Sequence, residues 1–533
     1  MQAQLLLQAI KNSLQQFTLY PALVKRLNLL DTAKPLHILA IGKAAWQMAY
    51  VANQALRHHQ LASCTVLTKY GFYPGPSSKA AGCRFHWIRQ VSCQEDQSES
   101  SLGFDTSPCR NGTKFRQKES SYAAYADETS AILLGEAGNP DIRILEAGHP
   151  APDENSIRHT QAILDYLQKL PADHEIIILL SGGSSALFEL PEDGHTLEDI
   201  ISLNRLLLGS GLDIRQINLK RRELSQVKSG KAISYINCRI RGVYLLSDVE
   251  GNDPAIIGSG PFYSTGARRS AESVKRQSEN TSSVEMSMVE TSSVETSSRR
   301  LIINSFGKMP NPQSCDRMSH PQQDSTRPRV ETERSSVKES DLVAYADEDV
   351  CNPIPHQIIG DNQAFLKVLR RSLQQSCPWP VHLSSRFINQ DIGVFAKALS
   401  NYLPKAKPGI YLFGGELTFK PQGTGKGGRC SHLALLMAKE ISAMPGTTFV
   451  AYATDGNDNI RESAGAIVDE HSWQQMITAG CDPEQAIRTS DSYSALKAID
   501  AIIPGCYTGT NVNEVYGLLR NEMGACGTKW VTA

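Results

Sequence analysis

The 533-residue sequence lacks long apolar runs, close cysteine pairs and an excess of charge of either sign. Apolar runs such as residues 176–180 are far too short to cross a bilayer, which takes about 20 apolar residues. The 54 Lys and Arg side chains balance 55 Asp and Glu, so a polyanion-binding surface over the whole protein is not expected. No basic segment or cleavage site typical of a secretory signal opens the chain.

The twelve cysteines include no C-x-x-C pair. In a chain of this size without a signal, this scatter favours free thiols in a reducing compartment over a disulfide framework or a zinc site. We therefore expect a cytoplasmic protein with neither a membrane nor a nucleic acid as its partner.

Two polar segments, residues 92–121 and 265–341, show no apolar periodicity. Their composition buries too little apolar surface to offset the entropy lost when a chain becomes ordered. We interpret both as disordered low-complexity inserts. The longer one separates two predicted domains, residues 1–264, which carry the shorter insert, and residues 342–533.

Outside the inserts, short apolar segments alternate with amphipathic ones. Strands are predicted at residues 37–41, 63–68, 142–146, 176–180, 242–246, 410–413 and 448–453. Helices are predicted at residues 44–58, 154–170, 197–210, 222–233, 363–376, 432–444 and 512–521. This alternation is typical of parallel sheets covered by helices, so the predicted fold class is α/β with two α/β domains.

Five predicted strands end in small or charged residues. These ends are Gly42-Lys43, Ser181-Gly182-Gly183-Ser184, Ser247-Asp248, Gly414-Gly415-Glu416 and Thr454-Asp455-Gly456. Open parallel sheets bind ligands beyond the carboxyl ends of their strands. Small residues let backbone N–H groups approach a ligand, and Lys and Asp supply charge or metal contacts. Five such turns together favour an active site over a set of ordinary turns.

The most glycine-dense segment, residues 423–429, reads Gly-Thr-Gly-Lys-Gly-Gly-Arg and formally matches G-x-G-x-x-G. It follows no long buried strand and lacks a ribose-binding acid at the expected distance, so a dinucleotide site has weak support. A hairpin tip and a phosphate-cradling loop both stay open. No segment matches Walker A, which excludes a P-loop nucleotide site of that kind.

Two further features have two interpretations each. The basic cluster Lys220, Arg221, Arg222, Lys228 and Lys231 is either a solvated helix face or a source of positive charge beside a phosphate. His149, in the turn Gly148-His149-Pro150, is more typical of a structural histidine than of a general base.

Taken in order, the motifs resemble those of the glycerate 2-kinases. The first series is Ile41-Gly42-Lys43-Ala44-Ala45, Ala147-Gly148-His149-Pro150, Ser181-Gly182-Gly183, Leu246-Ser247-Asp248-Val249 and Ser259-Gly260-Pro261, and it resembles the N-terminal domain. The second series is Gly414-Gly415-Glu416, Gly427-Gly428-Arg429, Thr454-Asp455-Gly456, Ala464-Gly465-Ala466 and Thr508-Gly509-Thr510-Asn511-Val512-Asn513, and it resembles the C-terminal MOFRL domain. The resemblance implies a Rossmann-like parallel sheet, a MOFRL-type α/β domain and a site in the cleft between them.

The resemblance also implies an activity, the ATP-dependent phosphorylation of D-glycerate at its 2-hydroxyl to give 2-phosphoglycerate. ATP and Mg²⁺, or another divalent cation, are the implied co-substrate and metal. By motif position, Lys43 and Arg429 are the implied cationic catalytic residues, and Asp455 is the carboxylate that orients or deprotonates the hydroxyl. The implied binding residues are Ser181, Gly182, Gly183, Ser184, Asp248, Gly415, Glu416, Gly425, Gly427, Gly428, Thr510, Asn511 and Asn513. Asp248, Asp253 and Asp455 are candidate Mg²⁺ ligands, since Mg²⁺ takes oxygen ligands and few of them from protein.

Three stretches depart from the family pattern. Cys430-Ser431-His432 replaces Asn-Gln-Glu, residues 457–463 carry longer side chains than usual, and Cys506-Tyr507 replaces Gly-Pro. Two alternatives therefore stay open, an NAD(P)-dependent hydroxypyruvate reductase and a non-catalytic metabolite-binding relative. For the kinase, we expect Lys43 and Arg429 to face each other across the cleft.

The disorder interpretation predicts that residues 265–341 are cut first in limited proteolysis, because a protease needs a locally unfolded chain. Fragments identified by mass spectrometry after brief digestion of the full-length protein test it. Persistent resistance of this region would show that it is ordered.

Overall fold

The computed structural model describes residues 2–73, 130–133, 142–209, 214–263 and 354–521. Both predicted inserts, residues 92–121 and 265–341, lie outside the described residues. The described chain forms two sheets, one of seven strands and one of six, both flanked by helices. We call the first sheet with its helices the first lobe and the second sheet with its helices the second lobe. The predicted α/β fold class is confirmed.

The first sheet is parallel apart from one edge strand. Its strands are β1 (Leu36–Ile41), β2 (Leu61–Lys69), β3 (Ser130–Leu133), β4 (Ile142–Ala147), β5 (Glu175–Ser181), β6 (Arg239–Leu246) and β7 (His356–Gly360), in the spatial order β3-β4-β2-β1-β5-β6-β7. Only β3 runs antiparallel to its neighbour. The central strands β1 and β5 are buried along their whole length, which explains the apolar runs of residues 38–41 and 176–180.

Helices flank this sheet and begin near the strand ends. They are α2 (Pro21–Leu27), α3 (Ala45–Ala55), α4 (Glu154–Lys169), α5 (Ser184–Leu187), α6 (Leu197–Gly209) and α7 (Ile214–Glu223). A capping box fixes the start of α4, because the Asp153 carboxylate accepts from the Ser156 N–H at 2.9 Å and the Ser156 hydroxyl accepts from the Asp153 N–H at 3.1 Å. This cap anchors the turn that follows β4.

The second sheet is mixed. Its strands are β8 (Val381–Ile388), β9 (Gly409–Gly415), β10 (Thr447–Ala453), β11 (Ser463–Asp469), β12 (Ile502–Pro504) and β13 (Glu514–Arg520), in the order β12-β11-β10-β13-β9-β8. Its helices are α1 (Gln2–Phe17), α8 (Asn362–Ser376), α9 (Ile392–Tyr402), α10 (Arg429–Ile441), α11 (Ser472–Thr478), α12 (Pro483–Thr489) and α13 (Ser492–Lys497). Only β8 and β9 pair in parallel, so the expectation of a parallel sheet is wrong for this lobe.

All seven predicted strands are confirmed, and two predicted helices are wrong. Residues 512–521 contain strand β13, which lies buried between β10 and β9. A strand buried on both faces shows no apolar–polar alternation, so the period of two that identifies a strand is missing there. Residues 222–233 contain only the end of α7 and the start of a short 3₁₀ turn, Lys231–Tyr235.

Two elements do not pack in the lobe to which the predicted division at residues 264 and 341 would assign them. Strand β7 follows the long insert in sequence, yet it pairs with β6 in the first sheet. Helix α1 opens the chain, yet it packs on α8 and β10 of the second lobe, where the Phe17 and Phe365 rings meet at 5.4 Å. Each lobe therefore contains chain from both sides of the insert, and a division into domains at these residues stays a prediction.

A buried ion pair supports the loop that follows β5. The Lys228 ammonium lies 2.5 Å from the Glu189 carboxylate and donates to the Ser185 carbonyl at 2.8 Å, and both charged side chains are about 2% exposed. Burial lowers the pKa of Lys228 more than the attraction of Glu189 raises it. Other members of the basic cluster also pair with carboxylates of their own lobe, as Lys231 does with Glu192 at 2.5 Å. Internal ion pairing thus accounts for these lysines.

No helix in the described ranges is both long enough and apolar enough to cross a membrane.

The Lys228→Met substitution leaves the Glu189 carboxylate buried without its cation. We expect it to lower the free energy of unfolding by about 3–5 kcal/mol, the usual cost of breaking a buried pair. Urea unfolding measures the change. The double variant Lys228→Met/Glu189→Leu should recover most of the loss, and Lys220→Met, at an exposed lysine, is the control. A single variant as stable as the wild type would contradict a structural role for the pair.

Candidate active site

The carboxyl edge of the first sheet carries several of the polar side chains of the site. In spatial order, His149 follows β4, Lys69 ends β2, Lys43 follows β1, Gly182 and Gly183 follow β5, and Asp248 follows β6. These strands are parallel, so their carboxyl ends meet at one edge. The prediction that the strand ends carry the chemistry is consistent with this placement.

Gly42 sets the position of Lys43. Its φ of 125° lies in the region that favours glycine, and a Cβ there would come within 2.2 Å of the Ser181 hydroxyl oxygen. The next two backbone N–H groups donate to the β5 turn, from Lys43 to the Gly182 carbonyl at 2.9 Å and from Ala44 to the Ser181 hydroxyl at 3.1 Å. Ser181, predicted as a binding residue, thus holds the backbone beside Lys43.

Lys43 pairs with Asp455 of the second lobe. The ammonium nitrogen lies 2.8 Å from Asp455 Oδ2, and the two side chains are 16% and 8% exposed. The Asn457 N–H donates to the other carboxylate oxygen at 3.0 Å. Burial lowers the pKa of Lys43, but the attraction of Asp455, with smaller contributions from Asp248 and Glu416, leaves the pKa above its usual value. The site therefore holds a fixed ammonium cation near neutral pH.

Asp248 is held by two amides of the second lobe. The Asn511 side chain donates to its carboxylate at 3.0 Å, and the Asn513 side chain donates to its backbone carbonyl at 2.6 Å. Burial and the nearby charge of Glu416 raise the pKa of Asp248 to about 6, against the attraction of Lys43. A Cβ on Gly182 would lie 1.8 Å from the Asp248 carboxylate, so only glycine fits there. Thr510 is buried in the same loop.

Arg429 begins helix α10 and binds two carboxylates. Its guanidinium lies 2.7 Å from Glu416 and 2.6 Å from Glu514, and Tyr516 donates its hydroxyl to Glu514 at 2.6 Å. Burial opposes the charge on Arg429, but the two carboxylates outweigh it and raise the pKa of the guanidinium. Burial also raises the pKa of Glu514 to about 7, with Arg429 opposing and Glu416 adding to the shift.

Lys43 and Arg429 share one carboxylate neighbour. Glu416 pairs with Arg429 directly, and its charge acts on Lys43. Glu416 itself is held at the end of β9, where its N–H donates to the Ile388 carbonyl at 2.8 Å. A Cβ on the preceding Gly415 would lie 2.0 Å from that carbonyl, so this approach depends on glycine.

One departure from the family pattern, Cys430-Ser431-His432, lies in the first turn of α10. The Asp458 carboxylate accepts from the N–H groups of Cys430 at 2.9 Å and Ser431 at 2.8 Å. All three side chains of Cys430-Ser431-His432 are buried, and the His432 ring stacks on Phe419 at 4.3 Å. The changed residues therefore lie in the first turn of the helix that Arg429 begins, with their side chains buried in the second lobe.

The glycine-dense segment is anchored to the turn between α12 and α13. Gly425 donates its N–H to the Thr489 carbonyl at 3.1 Å, and Lys426 donates its N–H to the Asp491 carboxylate at 3.0 Å. Farther along, Cβ atoms on Gly427 and Gly428 would lie 2.1 Å from the Ser492 hydroxyl and 2.2 Å from the Asp458 carboxylate. Close packing thus accounts for the glycines in this segment.

Two further predicted binding residues, Gly183 and Ser184, follow β5. Gly183, with a φ of 85°, precedes α5 next to Lys43 and His149, since a Cβ there would lie 3.1 Å from each side chain. Ser184 is buried, and within the described chain its hydroxyl has no hydrogen-bond partner.

Four charged or polar neighbours do not stand out in the sequence as site residues. No motif singles out Glu514, Lys69 or Arg461, and the turn that contains His149 is more typical of a structural histidine. Burial and the charges of Lys43 and Lys69 lower the pKa of His149 to about 3, so it is a neutral imidazole beside Lys43. Lys69 ends a strand next to the one that Lys43 follows, and Glu514 directly follows Asn513, so each carried a positional signal.

These features define a two-lobed α/β protein in which each lobe supplies cations and carboxylates to a common site. Residues 3–291 match the family model of a domain of unknown function, DUF4147, and residues 409–514 match the MOFRL family. The chain therefore belongs to the glycerate 2-kinase family, with its N-terminal domain and its C-terminal MOFRL domain.

Curated relatives match most of the chain. The D-glycerate 2-kinase of Thermotoga maritima is 27% identical over 484 residues, 90% of each chain. The glycerate 2-kinase of Pyrococcus horikoshii is 31% identical over 385 residues, 70% of this chain and 77% of its own. A protein of Agrobacterium vitis, 29% identical over 71% of this chain and 88% of its own, has hydroxypyruvate reductase as its provisional name.

A solved structure shares the fold. The crystal structure of glycerate kinase from Thermotoga maritima superposes with a TM-score of 0.62 at 25% identity, over 97% of this chain and 99% of that one.

The position of Glu514 predicts a pH effect on stability. Its pKa is about 7 in the folded protein against 4.5 for an ordinary glutamate, so the folded state binds more protons between these values. Stability should therefore fall as the pH rises from 4.5 to 7. Glu514→Gln mimics the protonated acid and should make this fall smaller.

Urea unfolding at several pH values measures the difference between wild type and Glu514→Gln. The exposed Glu223→Gln substitution is the matched control. A constant difference between wild type and Glu514→Gln over this pH range would contradict the raised pKa.

Proposed function

We propose that the protein is an ATP-dependent kinase that phosphorylates the 2-hydroxyl of D-glycerate to give 2-phosphoglycerate. The observation that carries this proposal is the pair between Lys43 and Asp455, which joins a cation of one lobe to a carboxylate of the other at 2.8 Å. Phosphoryl transfer depends on positioning and charge stabilisation more than on covalent chemistry, and this pair supplies a cation and a base candidate at one point.

The two cations have complementary shapes for this role. Lys43 is a compact charge suited to the transferring phosphoryl group, and the planar guanidinium of Arg429 suits two phosphate oxygens at once. Glu416 links them, since it binds Arg429 at 2.7 Å and its charge acts on Lys43. A nucleotide phosphate bound between Lys43 and Arg429 would compete with Glu416 for both.

Asp455 is the candidate for orienting or deprotonating the 2-hydroxyl. Hydrogen bonds from Lys43 at 2.8 Å and from the Asn457 N–H at 3.0 Å fix its two oxygens. In the proposed reaction the hydroxyl oxygen forms a bond to the γ-phosphorus, the bond from that phosphorus to the bridging oxygen of ADP breaks, and Asp455 takes up the hydroxyl proton.

Asp248 and Glu416 fit a Mg²⁺ ion that accompanies the nucleotide. The charge of each carboxylate raises the pKa of Lys43. The charge of Glu416 also raises the pKa of Asp248, so the two carboxylates interact electrostatically. Within the described ranges no group of three or more acidic, His or Cys side chains forms a complete metal site. Mg²⁺ needs only one or two protein carboxylates beside phosphate and water. Bound there, it would neutralise phosphate charge.

One alternative is an NAD(P)-dependent reduction of hydroxypyruvate. The provisional name of the Agrobacterium vitis relative supports it. The Gly423–Gly428 segment gives it little further support, because its backbone is anchored to Thr489 and Asp491 and does not open a helix after a buried strand.

We expect the full-length protein to release ADP from ATP and Mg²⁺ when D-glycerate is added, with 2-phosphoglycerate identified by ³¹P NMR. Lys43→Met should lower kcat at least about 100-fold, because it removes a fixed charge at the transferring group. Lys397→Met is the matched control, at an exposed lysine of α9.

Other outcomes would contradict the proposal. Consumption of NAD(P)H with hydroxypyruvate, and no ADP release with D-glycerate, would identify a reductase. Thermal stabilisation by D-glycerate without turnover would indicate a metabolite-binding protein. Full turnover by Lys43→Met would remove this residue from the mechanism.

A further inference from the structure

Positive charge is concentrated on one half of the sheet edge that carries the site. Lys69 ends β2, immediately beside the turn that carries Lys43, because the Thr68 hydroxyl donates to the Gly42 carbonyl at 3.0 Å. In the other direction along the sheet, the next charged side chain is the carboxylate of Asp248, which follows β6. We call the half around Asp248 the acidic half and the half around Lys69 the cationic half, although the latter also holds the Glu146 carboxylate, which accepts from the Gly71 N–H at 2.6 Å.

The second lobe adds another cation to the cationic half. Arg461 donates from Nη2 to the Tyr70 carbonyl at 3.4 Å, and a Cβ on Gly71 would lie 3.8 Å from its guanidinium. Its side chain therefore lies against the two residues that follow Lys69. Arg461 belongs to residues 457–463, one of the stretches that depart from the family pattern, and the proposed function gives this arginine no role.

In the described part of the chain, neither cation lies within ion-pair distance of a carboxylate, although the charge of Arg461 acts on Glu146. Asp455 pairs with Lys43, and Lys69 and Arg461 form no ion pair within 4.0 Å of a described acid. The Lys69 ammonium lies over the Phe72 ring, 4.7 Å from its centroid. Burial lowers the pKa of Lys69, and the charges of Lys43 and Arg461 lower it further, although Asp455 opposes them. An anion bound here would relieve this repulsion.

We propose that Lys69 and Arg461 form the subsite that binds the carboxylate of the 2-hydroxy acid, and that they place its hydroxyl beside Asp455. This inference rests on the proposed function. The carboxylate and the 2-hydroxyl lie on adjacent carbons of such a substrate, so their binding groups must be neighbours. Asp455 satisfies this requirement, since its charge acts on Lys69.

Arg429 is less suited to the substrate carboxylate. It already binds Glu416 at 2.7 Å and Glu514 at 2.6 Å, so an anion that arrives without a divalent cation to offset its charge would be repelled by both carboxylates. The acidic half of the edge better suits a nucleotide whose phosphates arrive with a divalent cation. The proposal thus assigns the acid substrate to the cationic half and the nucleotide to the acidic half.

Steady-state kinetics of the full-length protein test the assignment. Lys69→Met and Arg461→Leu should each raise KM for D-glycerate about 10- to 100-fold, the range expected for a lost hydrogen bond to a charged group. KM for ATP should change by less than about twofold, because the nucleotide phosphates bind elsewhere. Lys69→Arg should retain part of the affinity, and Lys397→Met, outside the site, should leave both KM values unchanged.

A neutral substrate analogue gives a readout that a purely structural role would not alter. D-glyceramide keeps the 2-hydroxyl and replaces the carboxylate by an amide. The wild type should strongly prefer D-glycerate over D-glyceramide. Lys69→Met should lose most of that preference, because it lacks the positive charge that binds the carboxylate. Arg461 is exposed, so Arg461→Leu keeps the test available if Lys69→Met does not fold.

Each outcome separates this inference from the function on which it rests. If the wild type does not phosphorylate D-glycerate, the proposed function fails, and the subsite fails with it unless calorimetry shows D-glycerate binding that both variants weaken. If the wild type is active but KM rises for ATP instead, the cations bind nucleotide phosphate and the assignment is overturned. Unchanged KM values for both substrates, with preference for D-glycerate retained, would also overturn it.

Discussion

The ion pair between Lys43 and Asp455 is the contact on which the arrangement of the site depends. It joins the carboxyl edge of a parallel sheet to the loop after β10 of a mixed sheet, across a sequence separation of 412 residues. A partly buried pair of this kind keeps its strength because little water screens it. It fixes a cation and a carboxylate at one point, and the hydrogen bonds from Asn511 and Asn513 to Asp248 hold the same two surfaces together.

The site gathers more charge than one ion pair needs. Asp248, Glu416 and Glu514 lie near Arg429 or Lys43, and burial raises the pKa of Asp248 and of Glu514. Buried carboxylates that retain this much unfavourable desolvation are common where a protein binds charged ligands. Lys69 and Arg461 provide an excess of positive charge on the side of β1 opposite to Asp248, so the site contains adjacent regions of opposite sign.

The fold of the first lobe and the polar residues at its strand ends can be recognised in the sequence, because both depend on residues close together in the chain. The apolar runs of residues 38–41 and 176–180 predict β1 and β5, and glycine followed by lysine after β1 predicts a turn at the end of that strand. The failures have a common cause, since partners distant in sequence decide them. Residues 512–521 become strand β13 because β9 and β10 lie on either side. Arg461 contacts the chain after β2, and spacing within residues 457–463 does not reveal this contact.

The position of helix α1 bears on how such a protein can be divided. Leu6, Ile10 and Phe17 pack in one apolar cluster with Phe365, Leu412 and Val450 of the second lobe. Along the chain, α1 therefore packs in the second lobe, the elements from α2 to β7 form the first lobe, and the elements from α8 onward complete the second. The second lobe is therefore built from two separate segments, so swapping it between relatives would require exchanging α1 together with the segment from α8 to β13.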